Sequence, residues 1–229
     1  MKIIVAGASG FIGSAAVREA IKDESITQIC VLSRGTPLPD DIANHAKVTV
    51  IRTSFAEYSM EVLNQLVDAE ACIWAIGGRV PDFHDLLVAH RTCVEYPAIA
   101  ARAFAATLSP LLPRGKMFRF VFVSGLLQIR HHDHFRLYSD AEEGLRRIRL
   151  HYSTRLELRV ARPHKVTLRC YRFFASLLSR VFRTIPINVL ARSLIKMANN
   201  NYYNRWLKTN FEAESLVRLA GAPDINREG

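Results

Sequence analysis

The residues best placed to do chemistry come first in the chain. In Lys2-Ile-Ile-Val-Ala-Gly-Ala-Ser-Gly-Phe-Ile-Gly13, glycines recur at 7, 10 and 13, between the apolar run Ile3, Ile4, Val5 and an Ala-rich stretch with helical periodicity. Strand, glycine-rich turn, helix is the order that cradles a dinucleotide pyrophosphate. Gly7 permits a tight turn, Gly10 lets backbone N–H groups approach the phosphates, and Gly13 lets the helix pack closely on the strand. The helix N-terminus adds the positive end of its dipole. The same spacing also occurs in ordinary strand-to-helix turns, and the context of a preceding strand and a following helix is what favours nucleotide binding.

A second chemical feature lies about 20 residues past the glycines, where such a fold meets the adenosine ribose. The apolar run 29–32 ends there in Ser33-Arg34-Gly35. A carboxylate at this point accepts hydrogen bonds from the ribose 2′-OH and favours NAD, whereas a guanidinium pairs with a 2′-phosphate. Arg34, helped by Ser33, therefore predicts NADP (NADPH), the alternative being a surface arginine that merely ends a strand. A third cluster, His131, His132, Asp133 and His134, has metal-ligand residue types. Neighbouring positions in one loop give poor coordination geometry without further ligands, so the stretch 128–134 reads as a substrate-side loop and no metal is expected.

The elements that must position these groups follow from periodicity. Apolar runs at 48–51, 71–75, 118–123 and 156–161 predict further strands, and helical patterns occupy 60–67, 84–112 with Pro97 as a kink or boundary, 139–152 and 211–219. Strands separated by helices argue for an α/β fold with a doubly wound parallel sheet. A chain of 229 residues, 49% of them hydrophobic, buries one core, so a single domain spanning 1–229 is expected. Ligands of such sheets lie beyond the carboxyl ends of the strands. Gly7 to Gly13, Arg34, the small residues Ala75 and Gly77, and Ser124 are thus expected to converge there.

Gly-Ala-Ser-Gly-Phe-Ile-Gly13 resembles the cofactor loop of the short-chain dehydrogenase/reductase superfamily, in its extended and atypical branches. The stretch 94–104, the pair Arg162-Pro163 and the stretch 185–195 are similar to the corresponding parts of that family, although His164 stands where Gly usually follows. The resemblance is specific over the first 125 residues and looser beyond. It implies a Rossmann fold, with Gly7, Ser9, Gly10, Phe11, Ile12, Gly13, Arg34, Ala75 and Gly77 at the cofactor and residues 164–210 as substrate-side cap elements. Relatives often carry Asp after the third strand, at the adenine, where this chain has Thr53-Ser54.

The resemblance also implies Ser124 and Tyr138 as catalytic residues. In that family a tyrosine exchanges a proton with the substrate oxygen, a serine hydrogen-bonds the oxygen, and a lysine four residues after the tyrosine lowers its pKa and holds the ribose. Glu142 occupies the lysine position here. A carboxylate there is expected to raise the tyrosine pKa and to forfeit the ribose contact; Arg146 has i,i+4 spacing from it and could return positive charge. The alternative is that Tyr138 simply precedes a helix capped by Ser139 or Asp140.

Formal charge of +10 suits an anionic partner, whether a nucleotide, nucleic acid or a membrane surface, and equally suits an inert basic surface. No helix-turn-helix, zinc finger or RNA-binding sheet pattern occurs, which argues against sequence-specific nucleic-acid binding. Cys30, Cys72, Cys93 and Cys170 sit in or beside apolar runs without C-x-x-C pairing and read as buried thiols. No apolar run reaches membrane-spanning length, and the chain enters a strand without a cleavable leader, so a cytoplasmic protein is expected. The basic, aromatic stretch 169–183 fits the cover of a substrate cleft or a homodimer seam better than a membrane surface. The expected function is an NADP-dependent oxidoreductase acting on a small carbonyl or alcohol. The alternatives are a redox-independent isomerase, cyclase or lyase, and a non-catalytic dinucleotide sensor.

Overall fold

Seven parallel strands form one sheet in the computed structural model, which describes residues 1–78, 83–125, 132–163, 165–167, 184–199 and 210–221. In chain order they are β1 (Lys2–Ala6), β2 (Gln28–Ser33), β3 (Val48–Arg52), β4 (Ala69–Trp74), β5 (Phe118–Val123), β6 (Leu156–Arg162) and, after the separate pair β7 (Lys165–Thr167) and β8 (Thr184–Pro186), β9 (Asn210–Glu212). The spatial order is β3-β2-β1-β4-β5-β6-β9. The order reverses between β1 and β4, and that reversal opens a crevice beyond their carboxyl ends. The doubly wound α/β fold expected from the sequence is the fold observed.

Alternate residues of each strand serve opposite layers, which is why the strands read as continuous apolar runs. Ile3, Val5, Ala71, Ile73, Val121 and Val123 pack under α1 (Phe11–Lys22), together with two helices from the C-terminal third, Ile187–Ala198 and Ala213–Gly221. Ile4, Ala6, Cys72, Trp74, Phe120 and Phe122 face the helices Met60–Gln65, Tyr96–Thr107 and His132–His151. Aromatic rings fill this second layer: Trp74 stacks on Phe120 with centroids 6.0 Å apart, and Phe104 meets Phe118 at 5.6 Å. With the short helix Asp40–Ala43 as α2, these helices run in order as α3 (Met60–Gln65), α4 (Leu86–His90), α5 (Tyr96–Thr107), α6 (His132–His151), α7 (Ile187–Ala198) and α8 (Ala213–Gly221).

Two expectations are corrected, on α6 and on 211–219, and the break expected at Pro97 is observed. Within 84–112, α4 passes into a wider π turn, Arg91–Glu95, before α5, and Tyr96 N–H bonds Arg91 O. Pro97 sits at the start of α5; it has no N–H and its ring crowds the carbonyl four residues back, and the wider turn takes up that misfit. Helix α6 begins at His132, seven residues before the expected start at 139. Ser139 and Asp140 are therefore exposed mid-helix residues, not caps, and His132 to His134 belong to the first helical turn; residues 128–131 lie outside the described residues. The stretch 211–219 holds β9 as well as α8, because a three-residue edge strand is too short for its alternation to stand out from a helical pattern.

Part of the excess positive charge is structural. Lys47 Nζ donates to the carbonyls of Ile21 and Asp23 at the end of α1 (2.9 and 3.0 Å), and Lys2 Nζ to those of Gln65 and Val67 past α3 (2.8 Å each). Arg159, buried on β6, donates to Met197 O near the end of α7. Cations at helix C-termini satisfy orphan carbonyls and complement the dipole. Of the span 164–210, α7 lies on α1 as a core helix, and residues 168–183, with the expected basic aromatic stretch and Cys170, are outside the described residues. Cys30, Cys72 and Cys93 are buried free thiols. Among the described residues no helix is long and apolar enough to cross a membrane.

Two glycines in helices predict opposite outcomes. A Cβ at Gly13 would stand 2.1 Å from Gly7 O, whereas a Cβ at Gly144 in α6 meets nothing within 4 Å. In chemical denaturation, Gly144→Ala should stabilise by about 0.5–1 kcal/mol through lost unfolded-state freedom. Gly13→Ala should instead destabilise by about 1–3 kcal/mol because the helix must move off the strand.

Candidate functional site

The turn after β1 is built by close backbone approach. Gly7 has φ +92°, and a Cβ there would lie 2.7 Å from Ala75 C and O. Only glycine tolerates both the dihedral and the contact. Gly10 N–H bonds Gly7 O at 3.0 Å, and Ser14 N–H bonds Gly10 O at 2.9 Å, which starts α1. No side chain caps this helix and no acidic residue stands in its first turn. Its first N–H groups thus project a positive potential at the crevice, the arrangement that attracts an anion. Ser9, Gly10 and Phe11 are exposed on the turn, while Ile12 is half-buried against the α1 layer.

Beyond β2, Ser33 Oγ accepts the N–H of Gly35 at 3.1 Å, and Gly35 turns the chain with φ +110°. Arg34 is exposed with its guanidinium 6.0 Å above the Phe55 ring. Phe55 is only 4% exposed despite φ +65°, held by an edge contact to Trp74 with centroids 5.7 Å apart. Its burial offsets the roughly 1–2 kcal/mol cost of a left-handed backbone. Arg52 ends β3 opposite Ser33, and its guanidinium stands 3.4 Å from where a Gly35 Cβ would be. Among the described residues neither Arg34 nor Arg52 pairs with an acid. Sequence reading missed Arg52, since only strand register sets it beside Arg34.

At the ends of β4 and β5, Tyr138 from α6 lies between two glycines. A Cβ at Gly77 would stand 2.6 Å from Tyr138 Oη, and one at Gly125 would stand 2.6 Å from its ring. The hydroxyl donates to Gly78 O at 3.3 Å. Glycines at 77 and 125 are thus what admits the ring, and Tyr138, 8% exposed, does more than precede a helix.

Glu142 lies among cations, and Arg146, expected at i,i+4 spacing, is one of them. One turn after Tyr138, Glu142 is 5% exposed and accepts from Ser124 Oγ (2.7 Å), Arg162 Nε (2.8 Å), Arg162 Nη2 and Arg146 (2.8 Å). Arg162 also donates to Glu212 of β9 at 3.0 Å. The carboxylate expected to work against Tyr138 is thus neutralised by a guanidinium that grips both its oxygens. Burial raises its pKa, but hydrogen bonds from Arg162 and Ser124 and the charges of Arg162 and Arg146 outweigh that and hold Glu142 below its ordinary value. The same pairing raises the pKa of Arg162.

Gly7, Gly13 and Ala75 are therefore in mutual approach, Gly77 and Gly125 flank Tyr138, Ser124 joins Glu142 and Arg162, and Arg34 lies at the neighbouring strand ends. No protein-family model matches the sequence, and no curated protein matches it. Solved structures do match. A UDP-N-acetylglucosamine 4-epimerase from Methanobrevibacter ruminantium, in complex with UDP-N-acetylmuramic acid, is 15% identical with TM-score 0.63, over 89% of this chain and 74% of that one. A UDP-glucuronic acid 4-epimerase from Bacillus cereus, in complex with NAD, is 15% identical with TM-score 0.61, over 86% and 72%. The Bordetella bronchiseptica enzyme WbmF, in complex with NADH, is 15% identical with TM-score 0.63, over 86% and 68%. The chain shares its fold with these enzymes. The resemblance read from the glycine loop is thus borne out at the level of fold, and these neighbours were solved with nicotinamide dinucleotides or nucleotide sugars.

The Glu142 cluster predicts an acid-sensitive stability. Its folded pKa lies below the ordinary 4.5, so its contribution is fully present above that value and is lost as pH falls through the lower folded pKa. Urea midpoints of Glu142→Gln measured from neutral to acid pH should fall less steeply below about pH 4.5 than those of the parent protein. Arg162→Met, which leaves a buried carboxylate short of its main partner, should cost about 3–5 kcal/mol at neutral pH.

Proposed function

We propose that this protein binds NADP across the carboxyl edge of its sheet and acts as an oxidoreductase on a small polar carbonyl or alcohol. The observation that carries the reading is electrostatic. An uncapped, acid-free helix N-terminus faces the crevice, and two guanidiniums that no acid among the described residues pairs with, Arg34 and Arg52, stand at the ends of β2 and β3. The first suits a pyrophosphate and the second a 2′-phosphate, which two fixed cations recognise better than one. Phe55 keeps Arg34 in place, and the small Ala75 leaves room for the nicotinamide ribose, the space over Gly77 being taken by Tyr138 Oη. Arg52 thereby joins Arg34 as a cofactor residue.

Bound there, the nicotinamide supplies or accepts the hydride. Tyr138 Oη, at the mouth between Gly77 and Gly125, holds the proton that passes to or from the substrate oxygen. The missing lysine is answered in part by the Arg162 and Arg146 charges, which neutralise Glu142 one helical turn from the phenol. The ligands in neighbouring structures, UDP-N-acetylmuramic acid among them, are hydroxyl-rich polar molecules, which supports a substrate of that chemical kind.

A second reading rests on a specific observation: the Ser124 and Tyr138 hydroxyls donate to Glu142 and to Gly78 O. A protein whose two hydroxyls are so occupied would hold the dinucleotide as a signal and turn nothing over. Calorimetric titration with NADPH and NADH, followed at 340 nm with a carbonyl panel, separates the two.

NADPH should bind more tightly than NADH, and Arg34→Asp should weaken NADPH by at least about tenfold (1.4 kcal/mol) while sparing NADH. Equal losses for both would remove Arg34 from the site. Gly10→Val should abolish binding of both in a folded protein. Tyr138→Phe should lower turnover by about 10²–10⁴-fold with dinucleotide affinity kept; unchanged turnover would remove Tyr138 as the proton carrier.

A further inference from the structure

The Ser124 hydroxyl has one proton to donate and two lone pairs with which to accept. Its proton goes to Glu142 Oε1 at 2.7 Å. That direction is fixed by the partner, because Glu142 also receives Arg162 on both oxygens and Arg146 on one, and a carboxylate so held is acceptor-only. The serine is 2% exposed at the end of β5, where the crevice lies, and among the described residues no group donates to its oxygen. A hydroxyl that has given its proton to a carboxylate can still accept, so the partner open to it in the crevice is a hydrogen-bond donor.

We propose that Ser124 presents an acceptor to the site and thereby selects a ligand hydroxyl over a ligand carbonyl, with Glu142 as the positioning residue that sets this polarity. The inference rests on the crevice being the ligand site proposed above, and it names the substrate class: an alcohol that donates to Ser124. A serine whose proton is uncommitted offers a carbonyl its hydrogen bond. Here that bond is spent on Glu142, and a carbonyl oxygen placed against Ser124 would face lone pairs with no proton between.

Glu142→Gln inverts the arrangement. Two guanidiniums, Arg162 Nη2 and Arg146, aim at the Oε2 position, against only Arg162 Nε and Ser124 at Oε1. The amide oxygen therefore takes the Oε2 place and the amide nitrogen the Oε1 place. The nitrogen donates to Ser124, and the serine proton is released toward the crevice.

The test uses two redox-inert probes of similar size, 1-methylcyclohexanol, a hydroxyl donor that has no hydride to give, and N-methyl-2-piperidone, a carbonyl acceptor that nicotinamide does not reduce. The change each makes to the NADPH dissociation constant is read by NADPH fluorescence on the full chain. Ligand-observed NMR on the dinucleotide-free protein reads the same preference, so that failure of NADPH to bind would overturn the proposed function without deciding this one. In the parent protein the alcohol should bind at least threefold more tightly than the lactam. Glu142→Gln should reverse that order, and Ser124→Ala, which keeps the volume nearly unchanged, should abolish it. Thermal unfolding of each variant establishes that it is folded. Equal binding of the two probes in the parent, binding of neither, or the same preference in Glu142→Gln as in the parent overturns the inference.

Discussion

The site side of this molecule depends on one buried ion pair, Glu142 with Arg162. It joins α6 to β6, and through Glu212 it reaches β9, the edge strand that closes the sheet. A carboxylate taken out of water costs several kcal/mol unless its lone pairs are filled, and Glu142 has them filled by two guanidiniums and a hydroxyl. Removing Arg162, which holds both oxygens, leaves that charge short of its main partner in a dry place. The pair therefore fixes the height of α6 against the sheet, and with it the position of Tyr138 one helical turn away.

Steric constraints of a different kind fix the other half. Gly7, Gly13 and Ala75 meet backbone to backbone, and Gly77 and Gly125 admit a tyrosine ring, at distances where a methyl group would overlap the neighbour. These contacts lie beyond the carboxyl ends of β1, β4 and β5, beside the point where strand order reverses between β1 and β4. A helix that starts there without a cap leaves its N–H groups for whatever enters.

The positive charge divides by location. At the amino edge Lys2, Lys47 and Arg159 close the ends of helices, and Arg119 is buried beside Glu70. At the carboxyl edge Arg162 and Arg146 are spent on Glu142, and Arg34 and Arg52 meet no acid among the described residues. A net charge of +10 alone says nothing about which arginines meet a ligand; pairing does.

The sequence by itself determined the sheet and the turn. Continuous apolar runs demand strands covered on both faces, helical periods between them demand parallel crossovers, and glycines at 7, 10 and 13 demand a close approach wherever the chain is folded. These are local properties, carried by residues within a few positions of each other. What lay beyond reach was set by partners distant in the chain. Arg52 comes to Arg34 only through the register of β2 on β3, and β9 is too short to show its own period. For Glu142 the sequence offered Arg146 by helical spacing, but Arg162, 20 positions later and on another element, is what holds both its oxygens. Electrostatics inside a fold depends on which groups are brought within a few ångströms and shielded from water, and only the tertiary structure decides that.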